Sequence, residues 1–489
     1  MGLLSLSIWT PVVFGLLLLV LGQRLGPSTS RWLALAGSVV AFLVTIPVYT
    51  GFDTSSAAMQ FTEQAVWIAP LNIYYSLGVD GISMWFVLLT AFITILVVAA
   101  GWEVIQDRVH VYMGAFLVLS GLMIGVFCAL DGLLFYVFFE ATLIPMYILI
   151  GVWGGPRRVY AAFKFFLYTL LGSLLMLVAL LYLYTQSGSF SILDWHRLPL
   201  GMSAQSWLFF AFLAAFSVKV PMWPVHTWLP DAHVEAPTGG SMVLAAIMLK
   251  LGAYGFLRFS LPIAPDASHH FAPLIIVMSI VAVIYIGLVA IVQKDMKKLV
   301  AYSSVAHMGF VTLGFFIFNP LGVSGGIVQM VSHGFVSAAM FFCIGVLYDR
   351  VHSREIADYG GVVNVMPKFA AFALFFSMAN SGLPATAGFV GEWMVILGSV
   401  QHNFWLGLLA ATALILGASY SLWMYKRVYL GDVKHKHVRE LVDINGREFA
   451  ILAVLAVATL YMGLYPKPFT DVMEPSVAQL LKHVATSKL

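Results

Sequence analysis

The chain is dominated by apolar runs that are each long enough to cross a lipid bilayer. About 20 mostly apolar residues span the hydrocarbon core, and we count about 14 such runs along the 489 residues. Only 10% of the residues are charged, against roughly 25% in soluble domains. In lipid, every backbone donor and acceptor needs an internal partner, which a helix provides. The sequence therefore predicts an all-α polytopic membrane protein.

The basic residues are distributed unevenly among the connections between these runs. If the connection after the first run is cytoplasmic, most of the 25 Lys and Arg residues fall on the cytoplasmic side, as the positive-inside rule expects. An even number of spans then places both termini on the outer face. The basic run KHKHVRE at 434–440 is interpreted as a solvated cytoplasmic loop, with lipid or partner binding as the alternative.

Two apolar runs contain proline where a helix cannot continue. Pro221 and Pro224 interrupt the run that carries Lys219, and Pro384 interrupts the run that carries Glu392. Proline removes a backbone donor and frees a carbonyl, which is tolerated at membrane depth only inside protein or beside a cavity. Broken spans at corresponding places indicate an internal repeat around a transport path. We therefore predict two inverted five-helix repeats, each containing a broken helix.

These repeats divide the chain into four predicted regions. They are the N-terminal transmembrane helices at 1–110, a first repeat at 111–260 with its break near 219–230, a second repeat at 271–428 with its break near 380–392, and a cytoplasmic loop with the last transmembrane helix at 429–489.

Six ionisable residues lie well inside apolar runs: Glu140, Lys219, Lys250, His307, His333 and Glu392. A lysine at the centre of a membrane helix costs about 2.5–3.5 kcal/mol on insertion scales, and such residues mark ion or proton paths. Their distances from the run ends place them at similar depth, which predicts a row parallel to the membrane plane. Because a lone buried carboxylate takes up a proton, we expect Glu140 to partner Lys219.

Each of these residues also has a structural interpretation. The alternatives are a hydrogen-bonded carboxyl for Glu140, a lysine that reaches the interface for Lys219, a helix cap for Glu392, and hydrogen-bonded packing residues for His307 and His333. A metal site is disfavoured because no carboxylate or cysteine stands at ligand spacing. The repeated cost of buried charge favours the functional interpretation.

Further polar residues follow the first broken helix. His226, Asp231, His233 and Glu235 are expected in a cytoplasmic loop, where they form a candidate proton entrance. The alternative is an ordinary polar loop with helix caps.

Redox cofactors are not expected in this chain. It has two cysteines, Cys128 and Cys343, whereas an iron–sulfur cluster needs about four thiolates. No P-loop or dinucleotide glycine pattern occurs in a usable context. Any redox chemistry therefore belongs to another subunit.

Five motifs carry a family resemblance. In these motifs the chain resembles the antiporter-like membrane subunits of respiratory complex I: KVPMWPVHTWLPDAHVEAPTGGS (219–241), QKDMKKLVAYSSVAHMG (293–309), SHGF (332–335), NSGLP (380–384) and GFVGEW (388–393). The resemblance covers nearly the whole chain. It is nearest to the M type, also called chain 4, which has a glutamate at position 392 where the L and N types have a lysine.

The resemblance implies roles for the buried residues. Glu140 and Lys219 form a charge pair, Lys250 is the central relay, and Glu392 is the relay on the outward side. The two histidines, His307 and His333, match positions on a central polar axis. We expect a proton to pass from Lys219 to Lys250, by way of water and His307, and then to Glu392.

The resemblance also implies a setting in the bacterial inner membrane. Protons move outward, driven by redox chemistry in partner subunits that hold FMN, iron–sulfur clusters and quinone. The expected neighbours are an L-type and an N-type subunit, the lateral helix of the L type, and membrane lipids, with no nucleic acid. Two alternatives remain: a subunit of a multi-subunit sodium/proton antiporter, and a subunit of a proton-pumping hydrogenase or ferredoxin-dependent complex.

Overall fold

The computed structural model describes residues 2–489, and ten of its helices are long and apolar enough to cross a membrane. The first, α1 (Leu3–Thr50), bends at Gly26, where φ is +80°, a conformation that glycine adopts without steric cost. It therefore holds two of the predicted spans. The polytopic helical fold is confirmed, and the count of about 14 spans stays a prediction.

The first half of the chain surrounds the first broken helix. Its further helices are α2 (Met84–Ala100), α3 (Val109–Cys128), α4 (Gly132–Ala141), α5 (Leu143–Trp153), α6 (Arg158–Ser187), the short connecting helix α7 (Ile192–Arg197), α8 (Met202–Lys219), α9 (Trp228–Glu235), α10 (Thr238–Val243), α11 (Leu249–Gly255) and α12 (Leu261–Ile263).

The second half surrounds the second broken helix. It contains α13 (Pro265–Val281), α14 (Gly287–Ile291), α15 (Met296–Phe316), α16 (Pro320–Val351), α17 (Pro367–Asn380), α18 (Ala387–His402), α19 (Phe404–Tyr429), the short α20 (Lys436–Arg439), α21 (Gly446–Leu464) and α22 (Lys467–Ala485).

Helices end at both of the proline-containing segments. Helix α8 ends at Lys219, and Pro221 and Pro224 lie in the turns that precede α9. Between α17 and α18, Pro384 is flanked by Gly382 and Ala385, whose φ values are +80° and +75°. The proline therefore stands in a turn between two half-helices. The inverted relation of the two repeats stays a prediction.

Three π-helical segments interrupt the spans between the two breaks, at 244–248, 256–260 and 282–286. The first two lie on either side of α11, which carries Lys250. A π turn shifts the hydrogen-bond register of the helix by one residue and occurs frequently at functional sites. The helix that carries the central lysine is therefore irregular on both sides of it.

Two elements were not predicted from the sequence. An antiparallel hairpin of β1 (Gln60–Ile68) and β2 (Ile73–Val79) occupies the long connection before α2, so the fold is not purely α-helical. Helix α22 follows the last predicted span and buries one face, with Phe469, Val472 and Met473 among its buried residues. Its mixed polar and apolar composition is that of a surface helix, which a search for membrane spans misses.

Candidate functional site: a buried series of ionisable side chains

Lys250 on α11 is fully buried and directly contacts a histidine. Its Nζ lies 2.7 Å from Nδ1 of His333 on α16 and also donates to the backbone carbonyl of Ala245. Ala245 lies in the π-helical segment 244–248. The irregular helix therefore supplies a carbonyl that orients the lysine amine toward the histidine.

A second histidine continues the series. His307 on α15 lies beside His333, with ring centroids 5.7 Å apart, and both are buried. Gln329 lies on the same helix as His333, with its Nε2 3.4 Å from Nδ1 of His307, and its amide oxygen accepts a hydrogen bond from Ser332 at 3.1 Å. Three neighbouring helices thus bring an amine and two imidazoles into one polar layer.

Glu392 on α18 forms the far end of this layer. Its Oε1 lies 2.6 Å from Nδ1 of His307 and accepts a hydrogen bond from Nε2 of Gln329 at 3.2 Å. The other nitrogen of His307 lies 3.1 Å from Oδ1 of Asn380. The amide of Asn380 donates to Ser421 at 3.0 Å, which turns its oxygen toward the imidazole. Each nitrogen of His307 therefore faces an oxygen atom, and the imidazole is held between Glu392 and Asn380.

A glycine permits the close approach of the helices here. A side chain at Gly391 would place its Cβ 2.6 Å from the backbone nitrogen of Gln329, which no side-chain rotation relieves. This small residue lets α18 pack directly on α16, so that Glu392 reaches His307.

The order of the groups corrects one expectation. We expected His307 between Lys219 and Lys250, and it instead lies between Lys250 and Glu392, linked through His333. Sequence depth places residues on one level, but it does not give the angular order of the helices around the bundle. That order decides which groups are neighbours.

Lys219 and Glu140 stand apart in this structure. Among residues 2–489 they form no ion pair within 4.0 Å, and neither the Nζ of Lys219 nor the Oε1 of Glu140 has a hydrogen-bond partner. The Nζ of Lys219 lies 4.8 Å from the ring centroid of Phe139, a cation–π contact. Lys219 is buried, whereas Glu140 is half-buried on α4. The predicted pair is therefore not in direct contact, although each charge is near enough to act on the other electrostatically, and Glu140 lies toward the edge of the bundle.

The residues of the candidate entrance do not form one cluster. Asp231 accepts a hydrogen bond from Lys164 at 2.6 Å, and Glu235 accepts one from the backbone of Arg157 at 2.9 Å. His226 lies beside Tyr302, with ring centroids 6.3 Å apart. Each of these side chains therefore has a separate environment.

The expected loop is in fact helix α9, and its histidine lies deeper than expected. His233 is fully buried, its ring stacks on Phe341 at 4.3 Å, and neither ring nitrogen has a partner within the described chain. Lys250 and Lys297 are both near enough to act on it electrostatically. His233 therefore belongs with the buried series rather than with a cytoplasmic surface.

Several polar residues of the site were missed from the sequence. Gln329 is a lone amide in an apolar run, four residues before His333, and Asn380 begins the NSGLP motif; both signals were visible. Lys297 was not predicted as a site residue; it is buried and donates to the carbonyl of Ala236 at 2.7 Å.

A buried ion pair lies at the end of the helix region that follows Lys250. Asp80 lies between β2 and α2, and its two oxygens accept hydrogen bonds from Arg258 at 2.8 and 3.0 Å. Burial alone would raise the pKa of Asp80, but the charge of Arg258 and the hydrogen bonds from Ser83 and Ile82 outweigh it and lower the pKa. This bidentate pair was not predicted from the sequence.

Comparison with known proteins places this geometry in a family. Residues 129–417 match the family described as NADH:quinone oxidoreductase/Mrp antiporter, TM. The chain belongs to this family. It is 52% identical to NADH-quinone oxidoreductase subunit M of Rhodobacter capsulatus, over 99% of this chain and 97% of that protein. The family resemblance inferred from the motifs, including its M type, is confirmed.

Two solved structures share the fold of this family member. A chain of respiratory complex I from Thermus thermophilus, solved with bound NADH, superposes with a TM-score of 0.90 at 33% identity and covers 99% of this chain and 100% of that one. A chain of the Mrp complex from Dietzia sp. superposes with a TM-score of 0.84 at 21% identity, covering 98% of this chain and 52% of that one. The second likeness establishes the fold alone.

Proposed function

We propose that this chain is the M-type, proton-translocating membrane subunit of a bacterial NADH:quinone oxidoreductase and that it moves protons outward. The observation that carries the proposal is the buried series Lys250, His333, His307 and Glu392, in which Lys250 contacts His333, the two imidazole rings lie 5.7 Å apart, and His307 contacts Glu392. Buried ionisable residues are costly in a membrane and are retained where protons or ions pass. Here four of them, on four different helices, lie in sequence from the centre of the bundle to the second broken helix.

Glu140 and Lys219 form the controlling part of this relay. A carboxylate that approaches a lysine to about 4 Å contributes roughly 4 kcal/mol at an effective dielectric constant of about 20. Moving one charge against about 150 mV requires roughly 3.5 kcal/mol. The two energies are similar, so closing and opening this pair is sufficient to hold a proton on Lys219 and then release it toward Lys250.

Proton transfer between Glu140 and Lys219, and between Lys219 and Lys250, requires mobile proton carriers. Lys219 has no hydrogen-bond partner, and buried polar groups without protein partners are commonly bridged by water. We propose that water connects Glu140, Lys219 and Lys250, and that His233 delivers protons to this region from the end of the bundle that carries Lys297.

The driving energy comes from partner subunits. FMN, iron–sulfur clusters and quinone are held there, and this chain acts as a subunit without its own redox group. We place it in the bacterial inner membrane with both termini outside, between an L-type and an N-type subunit and in contact with the lateral helix of the L type. The four regions at 1–110, 111–260, 271–428 and 429–489 are its proposed units.

The experiment uses the intact complex in membrane vesicles. Lys219→Ala and Glu140→Ala should each abolish NADH-driven proton pumping, while flavin and iron–sulfur subunits still co-purify with the chain. Lys436→Ala is the control, since Lys436 is exposed and pairs only with Glu440 at 3.7 Å. Full pumping in either relay variant would rule out this mechanism.

A second candidate function is sodium/proton antiport without redox chemistry, supported by the fold shared with the Mrp complex chain. The high identity to a subunit M favours the first function. Absence of flavin and iron–sulfur subunits from the purified complex, with sodium efflux coupled to proton uptake, would favour the second.

A further inference from the structure

A cavity of about 1130 Å³ opens beside the C-terminal end of α19. Four cationic side chains line it, Lys294, Lys426, Arg427 and Lys434, together with only two acidic ones, Glu355 and Asp432. The cavity lies between the end of a candidate membrane span, α19, and the connections that precede α15 and α17. It is therefore a positively charged recess at the level where a lipid headgroup would lie.

The cations of this recess are not neutralised by the protein. Within residues 2–489, none of the four forms an ion pair with a carboxylate at 4.0 Å or less. The Nη2 atom of Arg427 is buried and has no hydrogen-bond partner. Arg427 and Lys426 both lie over the ring of Trp423, at 5.2 and 5.5 Å from its centroid. The tryptophan thus holds both cations at the recess.

Part of the remaining lining is apolar and lies on α17, on α19 or directly after α19. Leu374 on α17 and Trp423 on α19 are 40% and 47% exposed, and Leu422 and Leu430 complete this wall. Cations at the upper end and exposed apolar side chains below them match the two parts of a phospholipid. A tryptophan at the boundary is typical of the membrane interface.

The polar rim of the recess is fixed rather than mobile. The Nε2 atoms of His435 and His437 lie 3.0 and 2.6 Å from the carbonyls of Ala357 and Asp358, and the two rings stack at 5.2 Å. The side chain of Asn364 donates to the carbonyl of Gly431 at 2.9 Å. The basic run at 434–440 is therefore only partly a solvated loop, because Lys434 and His435 line the recess.

We propose that this recess binds one anionic phospholipid, with its phosphate at Arg427 and Lys434, its glycerol region against Trp423, and its acyl chains along α17 and α19. A protein segment of a partner subunit is the competing occupant. The lipid is favoured because Trp423 on the candidate span α19 and Leu374 on the neighbouring helix α17 are exposed apolar side chains beside the cations, where acyl chains would lie.

The test uses the intact complex and photoreactive phosphatidylglycerol with the diazirine near its headgroup. Cross-linked peptides are mapped by mass spectrometry, with an equally labelled phosphatidylcholine as the comparison. We expect phosphatidylglycerol to label the segment 422–435. Arg427→Gln with Lys434→Gln should reduce this labelling roughly thirtyfold, since each nearby cation strengthens binding to an anionic lipid about fivefold.

Lys436→Gln with Arg439→Gln is the matched control, because it removes the same charge from the adjacent helix α20 outside the recess. Unchanged labelling in the control and weak labelling by phosphatidylcholine would support the proposal. Equal labelling by both lipids, equal loss in both double variants, or a partner-subunit peptide cross-linked at 422–435 in place of lipid would overturn it. If the double variant fails to assemble, Lys434→Gln alone provides the test, because it alters an exposed residue. It should reduce labelling by phosphatidylglycerol about fivefold.

Discussion

The ion pair between Asp80 and Arg258 offers the sharpest test of the packing around the central helix. Both side chains are buried, and two hydrogen bonds of 2.8 and 3.0 Å join them. Removing one partner of such a pair leaves an uncompensated buried charge and costs about 3–5 kcal/mol, whereas replacing both by apolar residues of similar size is often neutral. Asp80→Leu should therefore be strongly destabilising, and Asp80→Leu with Arg258→Met should recover most of the loss.

The assay is a double-mutant cycle on thermal unfolding of the purified complex, together with the amount of the chain that assembles in membranes. The coupling energy should be about 3 kcal/mol or more. Removing the exposed pair Lys436–Glu440 is the control and should change stability by less than about 1 kcal/mol. A stable Asp80→Leu protein, or a double variant no better than the single, would refute the reasoning.

Two further predictions concern the first broken helix and the short helix α7. Gly252→Val should distort the first broken helix and reduce pumping, because a Cβ there would lie 2.8–2.9 Å from the Cβ of Lys219 and from two backbone atoms; normal pumping would contradict this close packing. Burial and the nearby cations, including Arg258, lower the pKa of His196 on α7 to about 3. The unfolded chain therefore binds more protons below pH 6.5, and stability should fall by about 2 kcal/mol between pH 7.5 and 5. His196→Gln should remove this part of the pH dependence of thermal unfolding, and an unchanged profile would exclude it.

The sequence predicted the general fold because membrane helices leave a strong local signal. Apolar length, the prolines at 221, 224 and 384, and lysines inside apolar runs are all readable along the chain. The hairpin at 60–79 and the amphipathic helix α22 carry weaker signals, since they lie at the surface and bury only one face. Searches for apolar length do not detect such elements.

The sequence predicted which ionisable residues belong to the site, but not which of them contact one another. Glu392 and His333 were identified because an ionisable residue in a membrane helix is conspicuous, yet their neighbours depend on helix rotation and on close contacts such as the one at Gly391. His233 was assigned to a loop because its short segment is polar, whereas α9 folds back into the bundle and buries it. Tertiary packing, rather than local sequence, decides these contacts.

The central claim is that protons move along the buried side chains that meet at Lys250. The most direct measurement is the number of protons translocated per NADH oxidised by the intact complex carrying Lys250→Met in sealed vesicles. The control is Lys488→Met, which removes a half-buried lysine that holds two carbonyls at 2.9 Å outside the relay. We predict a clear fall in this ratio for Lys250→Met and none for the control. An unchanged ratio with Lys250→Met would contradict the account.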